Sequence, residues 1–276
     1  MKCAAALTLR HVRSLLLLTP LMMPALQARE GCTNRDFNGS FGFYATGHVI
    51  QSPVTTLAGP FARVGRLDAD GDGRIRFAST ASFNGILIPQ DFGGKYTMNS
   101  DCTFSALVFL PDPFNLEVTF VGVLAEGGNE IREFFVNPPG VLVYGTGRKT
   151  GLAACTDRNL SGSYLMELTG AVLDPSSSTR SPFAALGKID MDGAGKLTGK
   201  LSSNFGGLTA REEPISGTYS VKPDCIFELK YYTANEGTGA GNGVTLKGSL
   251  IDRGEGAYLM VLDPSNATVL GNLKAQ

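Results

Sequence analysis

The sequence predicts an all-β protein built as two tandem eight-stranded antiparallel up-and-down barrels, each with one internal disulfide. Three observations predict it. Glycine (35) and proline (14) cut the chain into short runs that alternate like strands and carry no helical period. A set of short motifs recurs about 122 to 126 residues downstream, the signature of a duplication. Four cysteines, at 32, 102, 155 and 225, form two successive pairs, each separated by 70 residues.

Residues 1–28 read as a signal peptide and lie outside the fold. Lys2, Arg10 and Arg13 make a positive, acid-free start, and Ser14–Met23 is an apolar run too short to span a bilayer. Ala25-Leu26-Gln27-Ala28 offers a small-residue cleavage site. No later stretch is long and apolar enough for a membrane-spanning helix, so a secreted or periplasmic location is expected. Removing the three basic residues leaves 21 basic against 25 acidic side chains, a net charge of −4. That balance lacks the positive footprint of a nucleic-acid binder. Cys3 leaves with the signal, and an even remainder in an exported chain implies disulfides. Four cysteines allow three pairings, and the repeated spacing favours Cys32–Cys102 with Cys155–Cys225.

The duplication sets the boundaries. Cys32–Phe41 aligns with Cys155–Tyr164, Gly65–Gly71 with Gly187–Gly193, and Gly94-Lys95-Tyr96 with Gly217-Thr218-Tyr219. Asn137-Pro138 matches Asp263-Pro264, and Gly145 matches Gly271. The expected units are residues 29–149 and 155–276, joined by a linker at 150–154. Strands are expected near 39–50, 61–68, 74–83, 92–98, 102–110, 116–125, 131–136 and 141–148. In the second unit they fall near 162–173, 183–190, 196–204, 215–221, 225–232, 243–251, 257–262 and 268–274. Longer connections are expected at 51–60, 84–91, 174–182, 205–214 and 233–242. Eight sequential antiparallel strands close into a barrel without free edges, with a two-sheet sandwich as the competing arrangement. Strands one and five of such a barrel run the same way, so Cys32 and Cys102 meet on one rim and shut that end. The other end is then a mouth.

In strand number, repeat size and the opening Gly39-Ser40-Phe41 or Gly162-Ser163-Tyr164, each unit resembles the calycin-like barrels (lipocalins, avidins and allene-oxide-cyclase-type proteins). The resemblance implies a barrel that holds small apolar molecules. The chain has no tryptophan, which avidins use to hold biotin, so no family binding residue is carried over.

Candidate chemistry is sparse. Asp68, Asp70 and Asp72 occupy the oxygen positions of a calcium loop, but its twelfth position is Ser79 where a bidentate Glu is needed. A hairpin turn accounts for this motif and its copy, in which Ala194 replaces Asp72. His48 is the sole histidine after the signal and stands out of phase with Phe41, Phe43 and Ala45, hence outward. The pairs Glu126/Glu130 and Glu212/Glu213 fall in expected turns or loops and read as solvated. Gly237–Gly243 lacks the Lys-Ser or Lys-Thr of a phosphate loop. No catalytic residue, metal or cofactor is expected. The inward set, from Phe41 and Phe43 to Val118 and Phe120, with Tyr164 to Leu250 in the second unit, contains no charge. These features point to a non-catalytic protein that binds a small apolar ligand, or a surface partner, through its mouths. A cyclase or isomerase shaping an apolar substrate is the alternative, and a structural or adhesive module with solid cores is another. Tyr96 and Tyr219 are the inward polar candidates for contacting a ligand.

Overall fold

A computed structural model of the chain describes residues 31–52, 54–173, 179–233 and 243–276. The expected signal peptide, most of the 174–182 and 233–242 connections and nearly all of the Gly237–Gly243 run lie outside them. Within them are two closed barrels. The first comprises β1 (Asn38–Val49), β2 (Gly59–Asp70), β3 (Arg74–Phe83), β4 (Ile86–Met98), β5 (Thr103–Leu110), β6 (Leu116–Ala125), β7 (Glu130–Asn137) and β8 (Val141–Lys149). The second comprises β9 (Ser161–Leu173), β10 (Arg180–Asp192), β11 (Lys196–Phe205), β12 (Leu208–Val221), β13 (Ile226–Thr233), β14 (Val244–Ile251), β15 (Gly256–Asp263) and β16 (Ala267–Ala275). Every neighbouring pair is antiparallel, and β8 and β16 return to close on β1 and β9.

Two expected connections are strand instead. β4 and β12 begin at Ile86 and Leu208, so 84–91 and 205–214 shrink to the turns Asn84-Gly85 and Gly206-Gly207. All four turn residues have positive φ, which matches the twist of the flanking strands in a two-residue hairpin.

Disulfides Cys32–Cys102 and Cys155–Cys225 join each barrel's lead-in segment to the residue just before its fifth strand, with Cα atoms 4.9 Å apart in both. They hold a short 3₁₀ turn, Asn34–Asp36 or Asp157–Asn159, across the base. Phe37 and Leu160 follow these turns and plug the floors, fully buried. Alternation directs Phe41, Phe43, Phe77, Phe104 and Phe120 into the first core, and Met166, Leu168, Ile189, Phe227 and Leu246 into the second.

The barrels lie side by side with their mouths at the same end. At the base, Arg148 Nε donates to Asp252 Oδ2 (2.8 Å) and Arg66 donates to the Asp224 carbonyl (3.1 Å). At the mouth end, Arg180 donates to Asn84. Between them Ala62, Val64, Ile251, Tyr258 and Met260 form a buried apolar cluster, with Tyr44 packed edge-on against Tyr258 at 4.8 Å. Gly42 permits the approach, since a Cβ there would meet Ile251 Cγ2 and the Leu250 carbonyl at 2.7 Å. Thr150, first residue of the expected linker, is buried here, donating to the Leu250 carbonyl and accepting from Arg253 N–H.

Candidate functional site

The sequence-derived candidates at the bases are occupied by the fold. Tyr96 Oη donates to the carbonyls of Phe37 (2.7 Å) and Asn34 (3.0 Å), and Tyr219 Oη donates to that of Leu160 (2.7 Å). Burial pushes both phenols above their usual range. Each latches its base plug, at the end away from the mouth. Tyr96→Phe and Tyr219→Phe are therefore each expected to lower stability by about 1 kcal/mol, read from urea unfolding midpoints, and to leave any mouth-bound ligand untouched.

Asp70 Oδ1 accepts the backbone N–H groups of Asp72 (2.8 Å) and Arg74 (2.9 Å), which hold its carboxyl below the usual range. Asp192 does the same for Ala194 and Lys196. Asp68 accepts from Ser40 Oγ and Arg66 Nε. These contacts describe a turn that orders its own backbone. Among the described residues no three His, Cys, Asp or Glu side chains converge as a metal site. His48 faces outward and is exposed.

Two carboxylate expectations change. Glu130 is buried at the start of β7 and pairs with Arg132 and Arg148, because the Ala125↔Glu130 register carries it into the sheet. Glu212 and Glu213 lie within β12, and Glu213 faces the second barrel's mouth.

The expected uncharged interior is also corrected. Arg63 on β2 is in step with Phe61 and Leu67, and Glu133 on β7 is in step with Ile131, so both point inside the first barrel. The Arg63 guanidinium donates to Gln90 Oε1 and lies 5.1 Å from the ring centroids of both Phe61 and Phe92. Burial depresses Arg63 to about 10, against the opposing pull of Glu133. Burial lifts Glu133 to about 7, against the pull of Arg63. By repeat position the second barrel carries Ala185, Glu213 and Leu259 in place of Arg63, Gln90 and Glu133.

The mouths differ accordingly. Thirteen of the sixteen phenylalanines lie between residues 31 and 149. In the first mouth Phe61, Phe83 and Phe114 pack at centroid distances of 5.0 Å, leaving a cavity of about 60 Å³ that Arg63 lines. The second mouth has a cavity of about 290 Å³ walled by Leu168, Val172, Phe183, Leu201, Val261 and Val269. Ser203, Glu213, Tyr231 and Thr233 add polar atoms to it. Val261 stands where the first barrel has Phe135, which accounts for part of the extra room. That volume sits at the lower edge of small-molecule pockets.

Fold and mouths define a tandem closed-barrel protein with one filled and one open cup. No protein-family model matches the chain, and no curated protein matches it. Among solved structures it is similar to transferrin binding protein B of serogroup B Neisseria meningitidis, at 8% identity and a TM-score of 0.33, covering 86% of this chain and 74% of that one. It is similar to transferrin binding protein B of Haemophilus parasuis at 7% identity and 0.31, covering 88% and 76%. A protein of unknown function from Nostoc punctiforme follows at 14% and 0.23, covering 88% and 97%. Likenesses at these scores carry neither ligand nor partner to this chain.

Proposed function

We propose that the protein is an exported, non-catalytic binding protein whose second barrel takes a small, mostly apolar ligand through its mouth. The observation that supports this is the roughly 290 Å³ cavity with aliphatic walls and a few polar groups near the rim. The first barrel, filled by aromatic rings, serves as its scaffold. Two disulfides fit an oxidising compartment, and among the described residues no helix is long and apolar enough to cross a membrane.

Titration with the neutral fluorophore N-phenyl-1-naphthylamine tests the reading. One saturable site per chain is expected. Ser203→Phe, which fills the second cavity, is expected to weaken binding at least tenfold, while Val143→Phe in the first mouth leaves it unchanged. Absence of saturable uptake would remove the proposal.

A further inference from the structure

The outer surface of the first barrel carries an apolar face across β6, β7 and β8. Phe134, Val136 and Tyr144 are 47%, 48% and 57% exposed. Contiguous apolar patches of this kind on a soluble protein mark interaction sites. Their counterparts in the second barrel are Met260, Leu262 and Leu270, and Met260 is 0% exposed because it is seated against the first barrel. One face of the repeat is thus used once inside the chain and left open once. The complementary face behaves likewise. The first barrel receives its neighbour on β1–β3, around Gly42, Tyr44 and Val64; the matching β9–β11 surface, around Leu165, Glu167 and Leu186, is open, with Leu186 54% exposed.

From this we infer that copies of the chain associate head to tail by repeating the internal contact: the β6–β8 face of one copy's first barrel seats on the β9–β11 face of another copy's second barrel.

Residue exchanges across the two open faces support it, because they complement one another. Where Tyr44 packs on Tyr258 inside the chain, the open faces present Glu167 and Arg132, of opposite charge. Where Gly42 admits Ile251, they present Leu165 and Ala125, so the large and small partners trade sides. Where Arg148 pairs with Asp252, they present Lys274 and Glu126, again cation against anion. Where Val64 and Met260 share a buried cluster, they present Leu186 and Phe134. Arg132 and Glu126 are already ion-paired within their own barrel, yet both side chains are more than half exposed and remain accessible to a second partner. Each copy keeps one donor and one acceptor face, so the contact is heterologous and the series grows beyond a dimer. The two faces are centred three strands apart around a ring of eight, so the series curves. Between copies no covalent connection supplies the local concentration that helps the internal contact. Association is therefore expected only at elevated protein concentration.

Sedimentation velocity between about 1 and about 500 μM, the range where untethered contacts report, tests this. The expected result is a weight-average mass that climbs past two chains. Phe134→Asp and Leu186→Asp should each hold the protein at one chain. Their equimolar mixture should form a species of two chains and nothing larger, because each variant retains the face that the other lacks. That species also demonstrates that both variants fold. Glu167→Lys should abolish growth, and Arg132→Glu added to it should restore it. A wild-type chain that stays single at every concentration overturns the inference. So does growth that Phe134→Asp stops and Leu186→Asp does not, which would assign the face to a symmetric contact or to a different protein.

Discussion

Arg63→Ala is expected to destabilise the first barrel by about 2–4 kcal/mol, the cost of emptying an enclosed, ring-packed position and stripping Gln90 Oε1 of its donor. The guanidinium is enclosed, donates to Gln90 and is the cation that pulls Glu133 towards its charged form. Without it Glu133 moves further upward and Gln90 Oε1 loses its donor. Adding Glu133→Leu is expected to recover part of the loss, because the second barrel holds Ala185 and Leu259 at these positions, both buried, and closes. Urea unfolding of the two single variants and the double variant gives the coupling directly. Additive losses would show that the two side chains do not sense each other.

Burial of Glu133 also fixes a pH dependence. Glu133 titrates near 7 in the fold against 4.5 for the free side chain. Between those values the folded state holds more protons than the unfolded one, so stability falls as pH rises through the window and levels off above it. The full swing is about 3 kcal/mol by linkage. Glu133→Gln should flatten this slope and gain most in Tm above pH 7, as thermal melts at pH 4.5, 6 and 8 would register. A variant parallel to the wild type across that range would contradict the assignment.

The second large effect belongs to the bridges. Each closes a 70-residue loop, which on chain-entropy grounds stabilises by about 4 kcal/mol. Cys32→Ala with Cys102→Ala should lower the first barrel's stability by that order, and the Cys155/Cys225 pair should do the same for the second. Loss of the first bridge also frees the segment that seats Phe37 under Phe41 and Phe104, so its measured cost should be the greater. Unfolding in urea with and without reductant separates the two contributions.

Much of this architecture was legible in one strand of amino acids. β3 and β6 match their expected ranges, and the cysteine spacing located both bridges. The sequence pattern marks only the second halves of β4 and β12, because Pro89 and Pro214 interrupt the alternation ahead of them. Pro89 faces solvent in register with Thr80, where alternation persists through it. Asn84-Gly85 was the available signal for a tight hairpin there. The charged interior was also present in the pattern, since Arg63 is two residues from Phe61 and Glu133 two from Ile131. Charged side chains are rarely enclosed, so their phase alone does not place them inside. The contact between barrels left a trace as well. Ala257–Leu262 is continuously apolar where alternation is expected, the mark of a strand buried on both faces. The unequal cavities were beyond reach, because they depend on how rings and aliphatic chains fill a closed volume.

Because the two openings point the same way, anything that approaches from that side meets a shallow receptacle floored by a cation and a deeper aliphatic one side by side. On the proposed reading a ligand arriving there is sorted by room alone: the ring-packed opening turns it away and the aliphatic one admits it, so exchange runs through a single doorway per chain.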